Sequence, residues 1–173
     1  MNKKSHLRRI SAGLVFSVLA GSLMLVPAGS GTADAASSKQ IAAVYAKIQT
    51  ERAAEVVALV NKERAAAGLK PLTVHTNLSK MAKTKAIDMF KNKYFNHTSP
   101  TYGSPFDMMD SFNITYRYAG ENIAMGQRTA KEVVEDWMNS PGHKANILNA
   151  NYNLIGVGYY NGYWVQEFIG TKD

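Results

Sequence analysis

Apolar positions recur at helical spacing through most of this chain and at strand spacing near its end. Ile41, Val44, Tyr45 and Ile48 make one stripe, and Val56, Val57, Leu59 and Val60 make a second that leads through Asn61 and Arg64 to an Ala67-Gly68 stop. Such spacing predicts amphipathic helix. Arg52 and Glu55 interrupt the stripe, which leaves open one long helix or two. Residues 36–52 are read as an N-terminal helical extension or linker, and the main domain as 53–173. Lys70-Pro71-Leu72 reads as extended, because the residue before a proline avoids the helical region.

From Asn77, an expected N-cap, Leu78, Met81, Ala82, Ile87, Met89 and Phe90 define one face of a helix that runs to about Asn92. Lys80, Lys83, Lys85, Lys91 and Lys93 are assigned to its other, solvated side. Ser104-Pro105 pairs an N-cap with a first-turn proline and opens a short helix through Phe112. Thr129 and Glu132 form a capping box ahead of Val133, Val134, Trp137 and Met138, and Ser140-Pro141-Gly142 ends that helix. The period then changes. Ile155, Val157 and Tyr159 alternate with Gly156, Gly158 and Tyr160, and Asn161-Gly162 separates them from a second apolar run, Tyr163 to Ile169. An Asn-Gly pair between two such runs predicts a hairpin. Helices first and strands late favour an α+β domain with helices packed on an antiparallel sheet.

The N-terminus has a different character. Lys3, Lys4, Arg8 and Arg9 precede an apolar stretch from Leu14 to Val26, and small residues after Pro27 end in Ala33-Asp34-Ala35. This is the layout of a cleavable signal peptide over residues 1–35. The apolar stretch of 13 residues is short of the roughly 20 needed to span a bilayer. Cleavage after Ala35 leaves a secreted, extracellular chain of 138 of the 173 residues, with no integral membrane segment. The formal charge of +7 shrinks as well: with four bases and one acid gone, 16 Lys and Arg face 12 Asp and Glu, a net of +4. The lysine-bearing helix could meet anionic cell-wall polymer or lipid, which would make the protein cell-wall associated. No nucleic-acid motif is present. Without cysteines, stability must come from packing or a bound ion, and the absence argues for a bacterial secretory route.

Three histidines remain after cleavage. His75 sits in a polar loop with no acidic neighbour and is read as a surface or capping residue. His97 lies in the loop Tyr94-Phe95-Asn96-His97-Thr98-Ser99-Pro100, and His143 follows Ser140-Pro141-Gly142. Between them Glu121 interrupts an apolar stretch from Tyr116 to Met125. Two imidazoles and a carboxylate suit a divalent metal such as zinc with an open position, and equally suit proton transfer near neutral pH. Spacing does not choose between these and three separately satisfied polar residues, since no His-Glu-x-x-His helix is present.

Phe95-Asn96-His97, Ala119-Gly120-Glu121-Asn122-Ile123-Ala124, Trp137 to His143 with Asn146-Ile147-Leu148, and Gly156-Val157-Gly158-Tyr159 with Trp164-Val165-Gln166-Glu167-Phe168 resemble, in this order, the CAP superfamily. That superfamily comprises cysteine-rich secretory proteins, antigen 5 and pathogenesis-related class 1 proteins. The resemblance covers about 54–170 and is nearest to cysteine-free secreted bacterial members. It implies a three-layer α-β-α sandwich with a central antiparallel sheet and a cleft lined by two histidines and two acids. His97, Glu121 and His143 match that set. The second acid of animal and plant members, three residues after the helix tryptophan, is here Ser140. Glu135 is nearby in sequence but precedes Trp137 by two, a rotation of roughly 200° on a helix.

The resemblance implies metal, lipid or protein binding and, in some members, proteolysis. The expected function is a secreted binding module whose His97, Glu121 and His143 cleft holds a divalent ion and an extracellular ligand such as a wall polymer, lipid or peptide. The alternative is a metal-dependent hydrolase of peptide or cell-wall substrate, with Glu121 as catalytic base and Ser99 or Ser140 as hydroxyls. A Ser-Pro serine is more commonly a cap or turn residue, and no Gly-x-Ser-x-Gly elbow exists. Tyr94, Phe95, Tyr102, Tyr116, Tyr118 and Tyr152 suit a core, a rim or a ligand platform alike. Gly156-x-Gly158 is read as a strand lying close to another backbone.

Overall fold

The structure is a computed structural model that describes residues 30–171. The export signal expected over 1–35 lies outside them as far as Gly29. Helix α1 (Ser30–Ala66) is continuous, so the two apolar stripes belong to one helix. From Ala35 to Ile48 it faces solvent, with Ile41, Val44, Tyr45 and Ile48 all exposed. Contact with the domain begins where the Arg52 guanidinium lies 4.6 Å from the centroid of the Tyr159 ring, and Val56 and Val60 are fully buried one and two turns later. The helix ends at Gly68, whose φ of 73° lets Gly68 and Leu69 N–H turn back onto Ala65 and Arg64 carbonyls.

After a two-residue strand β1 (Thr73–Val74) comes α2 (Thr76–Lys91). Its N-cap is His75 and not the expected Asn77: His75 Nδ1 accepts the Leu78 N–H at 3.2 Å. The imidazole does here what a serine or aspartate side chain commonly does, so the capping role read for His75 holds while the helix starts earlier. Helix α3 (Pro105–Ser111) starts at Ser104 with Pro105 in the first turn, and Asp107 completes a capping box. Strand β2 (Tyr118–Met125) follows, then α4 (Ala130–Asn139) with the predicted Thr129/Glu132 box. Ser140 caps the C-terminus of α4, but Pro141 opens a further short helix, α5 (Pro141–Ile147). The Ser-Pro-Gly segment is therefore a corner between two helices, since proline suits a first helical turn as well as it ends a preceding one. Strands β3 (Leu154–Tyr160) and β4 (Tyr163–Gly170) form the predicted hairpin. Both turn residues, Asn161 and Gly162, have positive φ, as the tight hairpin turn requires.

The sheet order is β1-β3-β4-β2. The three long strands are antiparallel, and β1 adds a short parallel pairing to β3. Strand alternation sends the side chains to two helical layers. Val165 and Ile123 pack under Ala82, Ala86 and Met89 of α2, while Trp164, Phe168, Ile155 and Val157 join Val56 and Val60 of α1 and Val133, Val134 and Trp137 of α4. The expected helix–sheet–helix sandwich is thereby formed. Gly156 and Gly158 face α2, and a Cβ on either would lie 2.3 Å from the backbone of Leu78 or Ala82. Their lack of a side chain sets how closely α2 approaches the sheet.

The lysine-rich face of α2 is not uniform. Lys80, Lys91 and Lys93 are exposed, whereas Lys85 is buried. Phe90, assigned to the apolar face, is partly exposed against Tyr160 and Tyr163, and Asp88 is buried. The core face of α2 includes Lys85 and Asp88 because both have polar partners in the loop that follows, as the site shows.

Candidate functional site

β2 is an edge strand, and the two helical layers meet along it. The loop after α2 brings His97 from one side, and α5 brings His143 from the other. Together with Ile123, Ala124 and Met125 of β2 and Trp137 of α4 they line a cleft of about 500 Å³. The sequence carries them there through local structure. α2 ends at Asn92, Lys93 takes a positive φ of 54°, and the chain turns back over the edge strand. Pro141 then starts α5 so that His143 sits in its first turn.

Glu121 stands behind His97. Its Oε1 lies 2.6 Å from His97 Nδ1, with the glutamate side chain almost fully buried and the imidazole half exposed. This contact fixes the ring and leaves its other nitrogen for the cleft. His143 is held differently: Asn122 Nδ2 donates to the His143 carbonyl at 3.1 Å, and Asn146 Nδ2 donates to Asn122 Oδ1 at 2.8 Å. Asn122 also donates to Gln166 Oε1 across the strands at 3.1 Å. Burial lowers the His143 imidazole below its ordinary value, and the neighbouring His97 pushes in the same direction.

The structure brings His97, Glu121 and His143 to one place, with Glu121 turned to the back of His97 instead of into the open cleft. Among the described residues no group of three or more His, Asp or Glu side chains is arranged to hold a metal ion. His97 and His143 are the two imidazoles presented to the cleft, which fits an ion whose remaining positions come from a ligand or water and does not fit a closed structural site. Ser140 lines the cleft. Ser99 does not: its buried hydroxyl donates to Asp88 at 2.7 Å and accepts from Thr101 and Tyr102 N–H groups. Glu135 lies on the exposed face of α4 and pairs with Lys131 at 2.5 Å. The acid that α4 gives to the cleft is the next residue, Asp136, which accepts from Gln127 Nε2 at 2.8 Å.

Behind the loop stands a polar group that spacing alone did not reveal. Lys85 Nζ donates to the His97 carbonyl at 2.5 Å. Asp88 accepts from Asn92, Tyr94, Ser99 and Thr101. Burial opposes the charge of Asp88, yet these hydrogen bonds outweigh it and hold the carboxyl below its ordinary range. Burial likewise pushes the Tyr94 hydroxyl up, aided by its bond to Asp88. On β4, Glu167 is completely buried and is the register partner of Glu121. Its signal was a Gln166-Glu167 pair inside an apolar strand run, where a charged residue needs a partner.

Residues 57–168 match the family model of the CAP, or cysteine-rich secretory protein, family. The chain belongs to the CAP family. It is 58% identical over 118 residues to the protein YkwD of Bacillus subtilis, covering 67% of this chain and 46% of that protein. It is 36% identical over 125 residues to the B. subtilis membrane protein YlbC, covering 72% and 36%. It thus spans less than half the length of either relative. Among solved structures, an extracellular SCP-domain protein of Bacillus anthracis superposes with TM-score 0.72 at 31% identity over 73% of this chain and 43% of that one. An outer surface protein of Borrelia burgdorferi superposes with TM-score 0.62 at 25% identity, covering 67% and 90%. The B. anthracis relative is an extracellular protein and the B. burgdorferi one an outer surface protein. No helix among the described residues is long and apolar enough to cross a membrane.

A second groove, of about 420 Å³, lies between α1, α2 and β3. Ala53, Ala54, Val57, Val74 and Val157 line it together with polar side chains such as Thr50, Thr76, Lys80 and Lys83, and no imidazole or carboxylate does. The cleft on the β2 edge is the one where imidazoles and a carboxylate converge, which favours it as the functional site.

Proposed function

We propose that this CAP domain is a secreted binding module whose edge-strand cleft takes up an extracellular ligand at the His97 and His143 imidazoles, with a divalent ion such as zinc as their shared partner. The observation that carries this reading is the fixing of His97 by the buried Glu121 at 2.6 Å, opposite an imidazole whose burial disfavours its charged form. Metal-ligating histidines characteristically use one ring nitrogen for a carboxylate or carbonyl and the other for the ion. His97 and His143 are the residues that would hold the ion, and the ion would supply a positive centre for a carboxylate, phosphate or carbonyl oxygen of the ligand. Wall polymer, lipid headgroups and peptides all present such oxygens. Melting the mature domain with and without micromolar zinc tests the idea, since a ligand that binds only the folded state raises the transition temperature. The expected result is a rise that His97→Ala and His143→Ala each remove. A transition unmoved by zinc overturns the metal reading.

The hydrolase reading keeps one supporting observation: the Ser140 side chain shares the cleft with a carboxylate–imidazole couple. In that case peptidoglycan or casein is cleaved, and Glu121→Gln, which removes the charge behind His97, abolishes cleavage. Cleavage that survives Glu121→Gln takes the cleft out of the mechanism.

A further inference from the structure

Glu121 and Glu167 face each other in register on β2 and β4, on the side of the sheet that α2 covers. Glu121 Oε1 is engaged with His97, while Glu121 Oε2 and both carboxyl oxygens of Glu167 are buried and have no hydrogen-bond partner. The other register neighbour of Glu167 is Gly156 on β3, which offers no side chain. From α2 comes Lys85, whose ammonium donates to the His97 carbonyl at 2.5 Å and acts on both carboxyls through its charge without hydrogen-bonding the three unpartnered oxygens. Two ionised carboxylates are acceptors only. Placed side by side without a donor, they would repel and leave three buried oxygens unsatisfied, whereas one shared proton removes the repulsion and pairs two of the three.

We propose that Glu167 is a positioning residue for the cleft: its carboxyl keeps a proton and donates it to Glu121 Oε2, which leaves Oε1 aimed at His97 Nδ1. The assignment of the proton to Glu167 follows from place. Glu167 is fully enclosed, whereas Glu121 already bears a hydrogen bond to the His97 imidazole at the cleft. Burial, reinforced by the charge of Glu121, pushes the Glu167 carboxyl well above its ordinary range, and the charge of Lys85 offsets only part of this. In this arrangement β4 supplies the second acid that the α4 corner lacks at Ser140. It works through Glu121 and does not touch the ligand. The inference rests on the binding reading only for the use to which a fixed His97 is put.

The test uses zinc-free mature protein first. At neutral pD the infrared spectrum should show the carbonyl stretch of a neutral carboxylic acid, absent in Glu167→Gln. The glutamine keeps a donor, so the imidazole nitrogen shifts of His97 should be those of the parent. Glu167→Met, which removes the donor at similar volume, should displace them. The zinc arm follows: Glu167→Met should weaken zinc binding about tenfold or more, the range for removal of an outer partner of a metal ligand, and Glu167→Gln should leave it unchanged. Absence of the acid band in the parent overturns the proposal, as does a Glu167→Gln protein in which His97 is displaced. Those two readouts stand even if Glu167→Met fails to fold. A parent that shows the band but binds no zinc overturns the metal reading alone and leaves the role of Glu167 supported.

Discussion

Lys85 and Asp88 stand three residues apart on the buried side of α2, and between them they hold both ends of the loop that presents His97. Lys85 bonds the His97 carbonyl, and Asp88 gathers Asn92 and Tyr94 before that residue and Ser99 and Thr101 after it. Positions three apart on a helix share a face, so one rigid element sets the loop. Replacing Asp88 by alanine removes the acceptor of four donors, of which the Ser99 hydroxyl is buried and the Tyr94 hydroxyl half-buried. We expect Asp88→Ala to lose about 2 kcal/mol or more by urea unfolding, since each unpaired buried group costs about 1–3 kcal/mol. Asp88→Asn should lose less, and hydrogen exchange in 94–101 should quicken in both. Unchanged exchange in that loop would mean that Asp88 supports the helix and not the loop.

A second prediction concerns the spacing of the layers. A methyl group at Gly158 would sit 2.3 Å from Ala82 C and Lys83 N, both backbone atoms that cannot swing aside. Gly158→Ala should therefore destabilise the domain by about 1–3 kcal/mol, the usual cost of overpacking, and Gly156→Ala should behave alike against Leu78. Gly142→Ala is the control, because a methyl there meets nothing within 4 Å. Equal melting temperatures for Gly158→Ala and Gly142→Ala would show that α2 shifts without cost.

The contrast between these residues shows what was legible in the sequence. Gly156-x-Gly158 announced a close backbone approach, and the hairpin, the Thr129 and Ser104 caps and the helix–sheet layering were all readable from local pattern. His97, Glu121 and His143 were found as residues and placed together by resemblance. Their arrangement was not, because whether Glu121 faces the cleft or the back of His97 depends on which face of β2 meets α2, a tertiary fact. The α5 helix escaped because its proline reads equally as a stop and a start. Lys85, Asp88 and Glu167 escaped because periodicity assigns charged residues to solvent, and only the loop and strand packed against them reverse that assignment.

Glu167 also predicts a dependence of stability on pH. Its folded carboxyl titrates well above the ordinary value of 4.5, chiefly through burial. Once the pH exceeds 4.5, the unfolded chain ionises this group and the folded chain does not. The stabilising contribution is full below that point and falls as pH rises, by up to about 1.4 kcal/mol per unit, until the folded group ionises. Glu167→Gln lacks the titration. It should be more stable than the parent at pH 7 and should show a flatter profile upward from pH 4.5. A parent and variant with parallel profiles would contradict a buried, protonated Glu167.

His143 gives the opposite slope. Its folded imidazole lies below the ordinary 6.5, first through burial and then through the charge of His97. As pH falls through 6.5 the unfolded chain takes up a proton that the folded cleft resists, so stability declines until the folded ring is itself protonated and then levels off. His143→Gln, which keeps a polar group at the first turn of α5, removes this loss. Melting temperatures from pH 8 to pH 5 should fall more steeply in the parent than in His143→Gln, and bound zinc should steepen the parent's fall, because acid must displace the ion before the ring can charge. A steeper fall in the variant would place the imidazole in its charged form at neutral pH and would remove it as an ion donor.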